Sequence, residues 1–332
     1  MREAGEDAAA AVREPRRQRL PDFFIVGHAK SGTTALYEML RRQPQVFMPA
    51  VKEPWFFVPE LRADNRRLDN ARHPNTLEQY TALFAPAGPE QRVGEATSSY
   101  LLSTAAAGRI AELVPDARII AILREPASFL RSLHLQFLQT HVENETDLGK
   151  AIALEGERRE GRSIPVNSTR PRALLYSEHV RYVEQLRRYH EAFPPEQVLV
   201  LIYEDFRAEN AATVSRVLDF LGVEQTAPIE PVEANPTVAA RSQRLRATIR
   251  SLYLGRGPGS RAARKTIKAL TSRRLRRGAL RLSEEHLLRG EVPPADEQVM
   301  AELRLRYRDE VLALGEYLDR DLTKLWGYDG LD

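Results

Sequence analysis

The sequence predicts an α/β fold, in which a P-loop-like central parallel sheet is flanked by helices and followed by a helical C-terminal extension. Short apolar runs of strand length alternate with segments of helical periodicity over the first two thirds of the chain. Polar turns rich in Gly, Ser, Thr and basic residues follow two of these runs. The pattern indicates one domain over residues 21–332, with an α/β core over about 21–240 and a helical part over about 241–332. Residues 1–20 are expected to form a disordered arm.

The first element is the apolar run at residues 23–26, which ends in Gly27. A run without polar interruptions is typical of a strand that is buried on both faces. The polar turn 28–34 follows, and apolar residues then recur at helical spacing over 35–42 until Pro44 approaches.

The remaining elements follow the same alternation. The further apolar runs predict weak strands at 46–48 and 92–95 and strong strands at 118–123 and 198–203. Helical periodicity predicts helices from Pro126 to about residue 140 and over 176–192, 211–221 and 298–318.

Composition narrows the function. The 332 residues carry a net charge of +3, are 42% hydrophobic and 29% charged, and include no cysteine. The absence of cysteine excludes a disulfide scaffold, thiol catalysis and Cys-based metal sites. No segment approaches the ~20 apolar residues that a membrane helix needs. The first 20 residues lack the apolar core of a signal peptide, so we expect a cytoplasmic location.

The turn after the first predicted strand has the features of an anion site. Glycine lets the backbone curl around an anion, and the amides of the helix N-terminus point toward it. Lys30 adds a positive charge, and Ser31, Thr33 and Thr34 add hydroxyl donors. In the P-loop of NTPases the lysine directly follows the second glycine, whereas Lys30 lies two residues before Gly32. A helix start that is merely capped by Ser and Thr is the alternative.

A second anion site is predicted at the end of the strand 118–123. The strand leads into Arg124, Pro126 suits the first turn of a helix, and Ser132 lies about two turns further along. An arginine fork together with a hydroxyl group suits a phosphate. The alternative is that Arg124 pairs with Glu125 or with another carboxylate.

Together these motifs resemble the PAPS-dependent sulfotransferases, PAPS being 3′-phosphoadenosine 5′-phosphosulfate. Residues 29–34 are similar to the 5′-phosphosulfate loop of that family, and Arg124 to Pro126 with Ser132 are similar to its 3′-phosphate site. Residues 52–57 resemble the segment after the first helix in the heparan-sulfate-type and related bacterial branch. The resemblance covers roughly residues 22–223 and resumes near the C-terminus, at Leu325 and Trp326.

The resemblance implies that PAPS is the sulfuryl donor, that 3′,5′-ADP is the second product and that no metal is needed. Glu53 would be the general base, and its burial beside Trp55 and Phe56 would raise its pKa against the effect of Lys52. Lys30 would stabilise the leaving 5′-phosphate. The predicted donor-binding residues are Lys30, Ser31, Gly32, Thr33, Thr34, Arg124, Ser132 and Arg241.

One departure bears on the acceptor. The heparan-type branch has a lysine where this chain has Ala96, which favours a small-molecule acceptor over a polysaccharide. A hydroxyl of a small molecule, lipid or carbohydrate is therefore expected. The basic stretch 261–277 lacks interleaved aromatic residues, so no nucleic-acid partner is expected. A homo-oligomer is compatible with the sequence.

Other interpretations stay open from the sequence alone. A P-loop kinase of a small metabolite and a non-catalytic nucleotide-binding protein are the alternative functions. His28 and His134 are expected to have packing roles rather than catalytic ones. Glu95 either assists Glu53, orients Lys30 or takes no direct part.

Overall fold

A computed structural model provides the fold. It describes residues 19–63, 73–140, 142–166, 168, 170–232, 239–240, 289–290 and 294–330. Four predictions fall wholly or partly outside these ranges, namely most of the N-terminal arm, Arg241, the basic stretch 261–277 and much of the predicted helical part 241–332.

The core is a five-stranded sheet in the order β2-β3-β1-β4-β5, and every neighbouring pair is parallel. The strands are β1 (Phe23–Gly27), β2 (Val46–Phe47), β3 (Arg92–Ala96), β4 (Arg118–Leu123) and β5 (Val198–Ile202). Every residue of β1 is buried, as the continuous apolar run predicts for a strand with helices on both faces. The predicted α/β class and all five predicted strands are confirmed. Three strand ends differ by one residue. β2 ends at Phe47, β3 extends to Ala96, and Tyr203 begins a helix instead of ending β5.

Helices connect the strands and extend beyond them. The first nine are α1 (Thr33–Arg41), α2 (Pro59–Ala63), α3 (Leu77–Thr81), α4 (Ala106–Leu113), α5 (Pro126–Thr140), α6 (Leu148–Ala153), α7 (Glu155–Arg159), α8 (Tyr176–His179) and α9 (Tyr182–Ala192). After β5 come α10 (Tyr203–Ala208), α11 (Asn210–Leu221), α12 (Glu297–Arg306), α13 (Arg308–Tyr317) and α14 (Leu322–Trp326). Short 3₁₀ helices span Pro171–Leu174 and Pro195–Gln197.

Two apolar layers cover the sheet. Phe24 and Val26 of β1 belong to the larger core, which includes α5, α9 and the C-terminal helices. Phe23 and Ile25 point to the opposite face and pack in a second core with α1 and α11. Successive strand side chains alternate between faces, so a strand covered on both sides must be apolar at every position.

The predicted helix over residues 176–192 is interrupted. α8 ends at His179 and α9 begins at Tyr182, where the Val183 amide donates to Glu310 Oε1 at 2.8 Å. Gln185 Nε2 donates to the carbonyl oxygen of His179 at 3.2 Å. Periodicity could not show this break, because the carboxylate that caps α9 comes from α13, far along the chain.

The C-terminal helices pack on the core, as the predicted helical extension implies. α12 contacts α5, α13 contacts α9, and α14 contacts α13. The predicted helix 298–318 is divided at Tyr307, which lies between α12 and α13. A two-residue antiparallel pair, Ala239–Ala240 with Arg289–Gly290, was not predicted from the sequence. Among the described helices, none has the length and apolar character that crossing a bilayer requires.

Gly94 in β3 provides a test of the packing. A Cβ at this position would lie 2.2 Å from Phe23 Cζ and 2.4 Å from Met48 Sδ. We therefore expect Gly94→Ala to lower the free energy of unfolding by about 2 kcal/mol in urea titrations.

Gly108→Ala is the control for this prediction. Gly108 lies on α4, and a Cβ added there would meet no atom of another part of the described structure within 4 Å. That helix substitution should stabilise the protein by about 0.5–1 kcal/mol. Equal stabilities of the two variants would contradict the close packing of β3 on β1.

Candidate active site

The predicted site residues gather at the carboxyl ends of three adjacent strands. The turn with Lys30 follows β1, Arg124 follows β4, and the Glu53 amide donates to the Ala96 carbonyl oxygen at the end of β3, at 2.9 Å. β1 lies between β3 and β4, so the turn lies between the other two groups. Parallel α/β sheets bind ligands at this edge.

The turn after β1 has an unusual backbone. Lys30 has a φ of 62° and Gly32 a φ of 87°, both in the left-handed region. Gly32 occupies the N-cap position of α1, and no side-chain cap hydrogen bond forms there. A Cβ on Gly32 would lie 3.0 Å from the Phe206 ring. The alternative of a turn capped by Ser or Thr is therefore wrong. A helix start of this kind offers its first amides to an anion.

Arg124 lies directly against this turn. Its Nη1 donates to the Lys30 carbonyl oxygen at 3.1 Å, and its guanidinium lies 4.7 Å from the centre of the Tyr203 ring. The Tyr182 hydroxyl donates to the Arg124 carbonyl oxygen at 2.9 Å. The two predicted anion sites are thus adjacent, as one ligand bound at both ends requires.

The alternative pairing of Arg124 with Glu125 is wrong. The Glu125 carboxylate accepts from the Ala127 and Ser128 amides at 2.8 and 2.7 Å and so caps the start of α5. In the described part of the chain, neither Arg124 nor Lys30 belongs to an ion pair. The buried Nε of Arg124 has no hydrogen-bond partner there. Burial and the charge of Arg124 lower the pKa of Lys30. Two neighbouring cations that form no ion pair in the described part of the chain favour a bound anion.

Other predicted donor-binding residues lie in the turn, on α1 and on α5. Ser31 and Thr33 are buried in the turn and in the first position of α1. Ser132 is buried on α5, the helix that begins two residues after Arg124. Ser31 and Thr33 are thus close to Lys30 in the chain, and Ser132 lies on the helix that follows Arg124.

Four donors hold the Glu53 carboxylate. Lys52 Nζ lies 3.0 Å from Oε1, Trp55 Nε1 donates to Oε2 at 3.1 Å, and Ser98 donates through its amide and its hydroxyl, the latter at 2.8 Å. Burial favours a higher pKa of Glu53, but the charge of Lys52 and the bonds from Lys52 and Ser98 outweigh it. The net effect lowers the pKa, so the expected rise is wrong. Glu53 is therefore an ionised, firmly oriented carboxylate at neutral pH.

Glu95 is buried, and protein hydroxyl groups surround its carboxylate. It accepts from the hydroxyls of Tyr80 at 2.6 Å, Thr97 at 2.6 Å and Tyr100 at 3.0 Å. The Tyr100 hydroxyl also accepts from the Phe56 amide at 3.0 Å. Among the described residues, no hydrogen bond or ion pair joins Glu95 to Lys30. Glu95 therefore acts on the site through Tyr100, which fixes the segment that follows Glu53.

The histidines near the site pack in the core. His28 is buried under the turn, with its ring 4.5 Å from that of Phe129. Burial and the nearby His179 lower the pKa of His28 to about 3, so the ring is neutral. His134 Nε2 lies 2.8 Å from the Glu145 carbonyl oxygen. The contacts support the expected packing roles of both His28 and His134.

Sequence reasoning missed the contribution of the C-terminal segment. Trp326 Nε1 donates to Glu204 Oε2 at 2.8 Å, and the Tyr328 hydroxyl donates to Glu125 Oε1 at 2.6 Å. Glu204 lies next to Tyr203, on which Arg124 stacks. The segment thus joins the start of α10, which follows β5, to the turn that follows β4. The signals in the sequence were the resemblances of residues 203–206 and of Leu325 and Trp326 to recurrent family features.

This arrangement places two cations and a helix N-terminus at one edge of an α/β sheet, and the comparisons identify the family. Residues 21–227 match the model of the sulfotransferase family. The chain belongs to that family, and the resemblance seen in the sequence is confirmed.

Curated relatives agree with this membership. Human heparan sulfate glucosamine 3-O-sulfotransferase 3A1 is 27% identical over 223 residues, which cover 67% of this chain and 49% of that protein. Mouse heparan sulfate glucosamine 3-O-sulfotransferase 6 is 31% identical over 213 residues, covering 64% and 55%. Human carbohydrate sulfotransferase 15 is 26% identical over 262 residues, covering 66% and 46%. The chain spans about half of the length of these relatives.

A solved structure supports the fold. A sulfotransferase from Alicyclobacillus acidocaldarius superposes with a TM-score of 0.56 at 26% identity, covering 78% of this chain and 99% of that chain. Within the ranges that the structure describes, no group of three His, Asp or Glu side chains is placed to hold a metal ion.

The pKa of Glu95 leads to a stability prediction. Burial raises this pKa from 4.5 to about 7 against the three hydroxyl donors. Folding therefore favours the protonated form of Glu95. The contribution of this group to the free energy of unfolding is lost as the pH rises from about 4.5 to about 7. Relative to wild type, Glu95→Gln should gain up to about 3 kcal/mol in unfolding free energy between pH 4.5 and pH 8.

Urea unfolding at several pH values measures this gain. The same change at exposed Glu112 is the control. A difference between Glu95→Gln and wild type that does not depend on pH would show that Glu95 does not titrate in this window.

Proposed function

We propose that this protein transfers the sulfuryl group of PAPS to a hydroxyl of a small-molecule or glycoconjugate acceptor, giving a sulfate ester and 3′,5′-ADP. The observation that carries the proposal is the contact of Arg124 with the Lys30 carbonyl oxygen, which places two unpaired cations at neighbouring strand ends. PAPS carries two separated anionic groups, so one molecule can satisfy both cations. Family membership supports this donor.

The donor would be held at both ends. The 5′-phosphate would bind at the start of α1, to the backbone of residues 31–34 and to the hydroxyl groups of Ser31, Thr33 and Thr34. Arg124 and Ser132 would bind the 3′-phosphate, and Arg124 is pre-oriented for this by Tyr203 and the Lys30 carbonyl oxygen.

The transfer step uses the two predicted catalytic residues. The acceptor oxygen forms a bond to sulfur while the bond between sulfur and the bridging oxygen of the 5′-phosphate breaks. The electron pair goes to the phosphate, where Lys30 stabilises the developing charge. Glu53 accepts the acceptor's hydroxyl proton, and its fixed orientation offsets the low basicity that follows from its lowered pKa.

Two observations support the proposed class of acceptor. The three curated relatives named above carry carbohydrate or heparan sulfate sulfation in their names, which favours an alcohol of a sugar. Ala96 in place of the heparan-type lysine favours a smaller acceptor than a polysaccharide.

Nucleotide binding separates the proposal from its alternatives. We expect a melting-temperature rise with 3′,5′-ADP that is larger than with 5′-AMP or Mg-ATP.

Lys30→Ala and Arg124→Ala should each weaken 3′,5′-ADP binding by about tenfold or more, because each removes a charge-assisted contact. Arg109→Ala, an exposed arginine on α4, is the control. A preference for Mg-ATP with phosphoryl transfer would support a kinase, and unchanged 3′,5′-ADP binding in both variants would refute the donor site.

The role of Glu53 is tested by turnover. Glu53→Gln should lower kcat by about a hundredfold or more at unchanged 3′,5′-ADP affinity, because the general base is lost and the donor site is not. The pKa of Glu53 is lowered, so wild-type kcat should not fall through loss of this base between pH 6 and pH 8.

Labelled PAPS with an acceptor panel gives the rates. Glu38→Gln, on the partly exposed side of α1, is the control. An unchanged kcat in Glu53→Gln would remove Glu53 as the base.

A further inference from the structure

Arg170 lies beside the proposed base without belonging to the predicted site. Its Cζ is 4.7 Å from the centre of the Trp55 ring, and Trp55 Nε1 donates to Glu53 Oε2 at 3.1 Å. Burial lowers the pKa of Arg170, and the negative charge of Glu53 acts in the opposite direction. Arg170 is thus a further cation beside the proposed base, in addition to Lys52, which binds the Glu53 carboxylate directly.

The guanidinium of Arg170 is not satisfied by the described protein. Its buried Nε has no hydrogen-bond partner, and its guanidinium takes part in none of the ion pairs of the described residues. Buried Arg158 shows the contrast, since it pairs with Glu143 at 2.8 Å. A buried charged donor without a partner lowers the stability of the protein. We therefore expect an anionic group from outside the chain to bind the Arg170 guanidinium.

Glu53 cannot be that partner. Its two oxygens already accept from Lys52, Trp55 and Ser98, and no ion pair joins it to Arg170. The guanidinium therefore lies in the field of the base but keeps its donors for another anion.

We propose that Arg170 forms an anion subsite for the acceptor, so that the acceptor carries a carboxylate or another anionic group near the hydroxyl that is sulfated. This inference rests on the proposed function and narrows its acceptor class. The guanidinium fork suits such a group in a bidentate manner, and Trp55 fixes its plane by stacking.

The position of Arg170 favours the acceptor over the donor. Lys30 and Arg124, the cations proposed for the donor, are at the ends of β1 and β4. Arg170 instead packs on Trp55, in the segment with Glu53, which is bound to the end of β3. Ala96 also ends β3 and cannot supply the charge that a lysine would supply there. Arg170 brings a positive charge to this side of the site from a distant part of the sequence.

Matched acceptors that differ only in charge test the subsite. The probes are 4-hydroxyphenylacetate with 4-hydroxyphenylacetamide, and methyl β-D-glucuronoside with its primary amide. Calorimetry measures their affinities with and without 3′,5′-ADP. In at least one pair, the carboxylate should bind wild type about tenfold more tightly than the amide, as one charge-assisted contact implies. Arg170→Gln should reduce this preference to less than about twofold, with unchanged melting temperature and 3′,5′-ADP affinity.

The neighbouring exposed Arg172 provides the control, and Arg172→Gln should retain the preference in full. The subsite is refuted if wild type shows no preference in either pair or if Arg170→Gln retains it. Sulfation rates that fall equally for both members of a pair in Arg170→Gln would also refute it, because Arg170 would then act on the sulfuryl group. Failure of 3′,5′-ADP to bind would contradict the proposed function alone, since the anion preference is also measured without the nucleotide.

Discussion

The hydrogen bond from Arg124 to the Lys30 carbonyl oxygen is the contact on which the candidate site depends. It joins the loops that follow β1 and β4 and places two cations together at the edge of the sheet. Burial, together with repulsion from the charge of Arg124, lowers the pKa of Lys30. The fold maintains this unfavourable arrangement, and the binding of a doubly anionic ligand would relieve it.

The surrounding contacts explain how the arrangement is maintained. Tyr203 stacks under the Arg124 guanidinium, and Tyr182 donates to its carbonyl oxygen, so the side chain and the backbone of Arg124 are both held. The C-terminal residues Trp326 and Tyr328 bind the carboxylates of Glu204 on α10 and of Glu125 before α5. The helical extension is therefore part of the site's support as well as a cover for the core.

The charged groups on the proposed acceptor side differ from one another in how many protein groups bind them. Glu53 is a carboxylate with a full set of donors, whereas Arg170 is a guanidinium without protein partners in the described part of the chain. Glu95 contributes from the core through Tyr100, which accepts from the amide of Phe56. A rigid base next to an unsatisfied cation suits an acceptor that brings both a hydroxyl group and a negative charge.

The sequence by itself determined the α/β class, the five strands and the two anion motifs, because buried parallel strands need unbroken apolar runs and an anion turn needs glycine, lysine and hydroxyls in fixed order. Tertiary structure decided which carboxylate stays ionised. Burial favours a higher pKa of Glu53, but Lys52 and the bonds from distant Ser98 lower it, whereas burial raises the pKa of Glu95. Tertiary structure also decided the break between α8 and α9, the support from Trp326 and the placement of Arg170. These features join residues that are distant in sequence, and neither periodicity nor local spacing records such contacts.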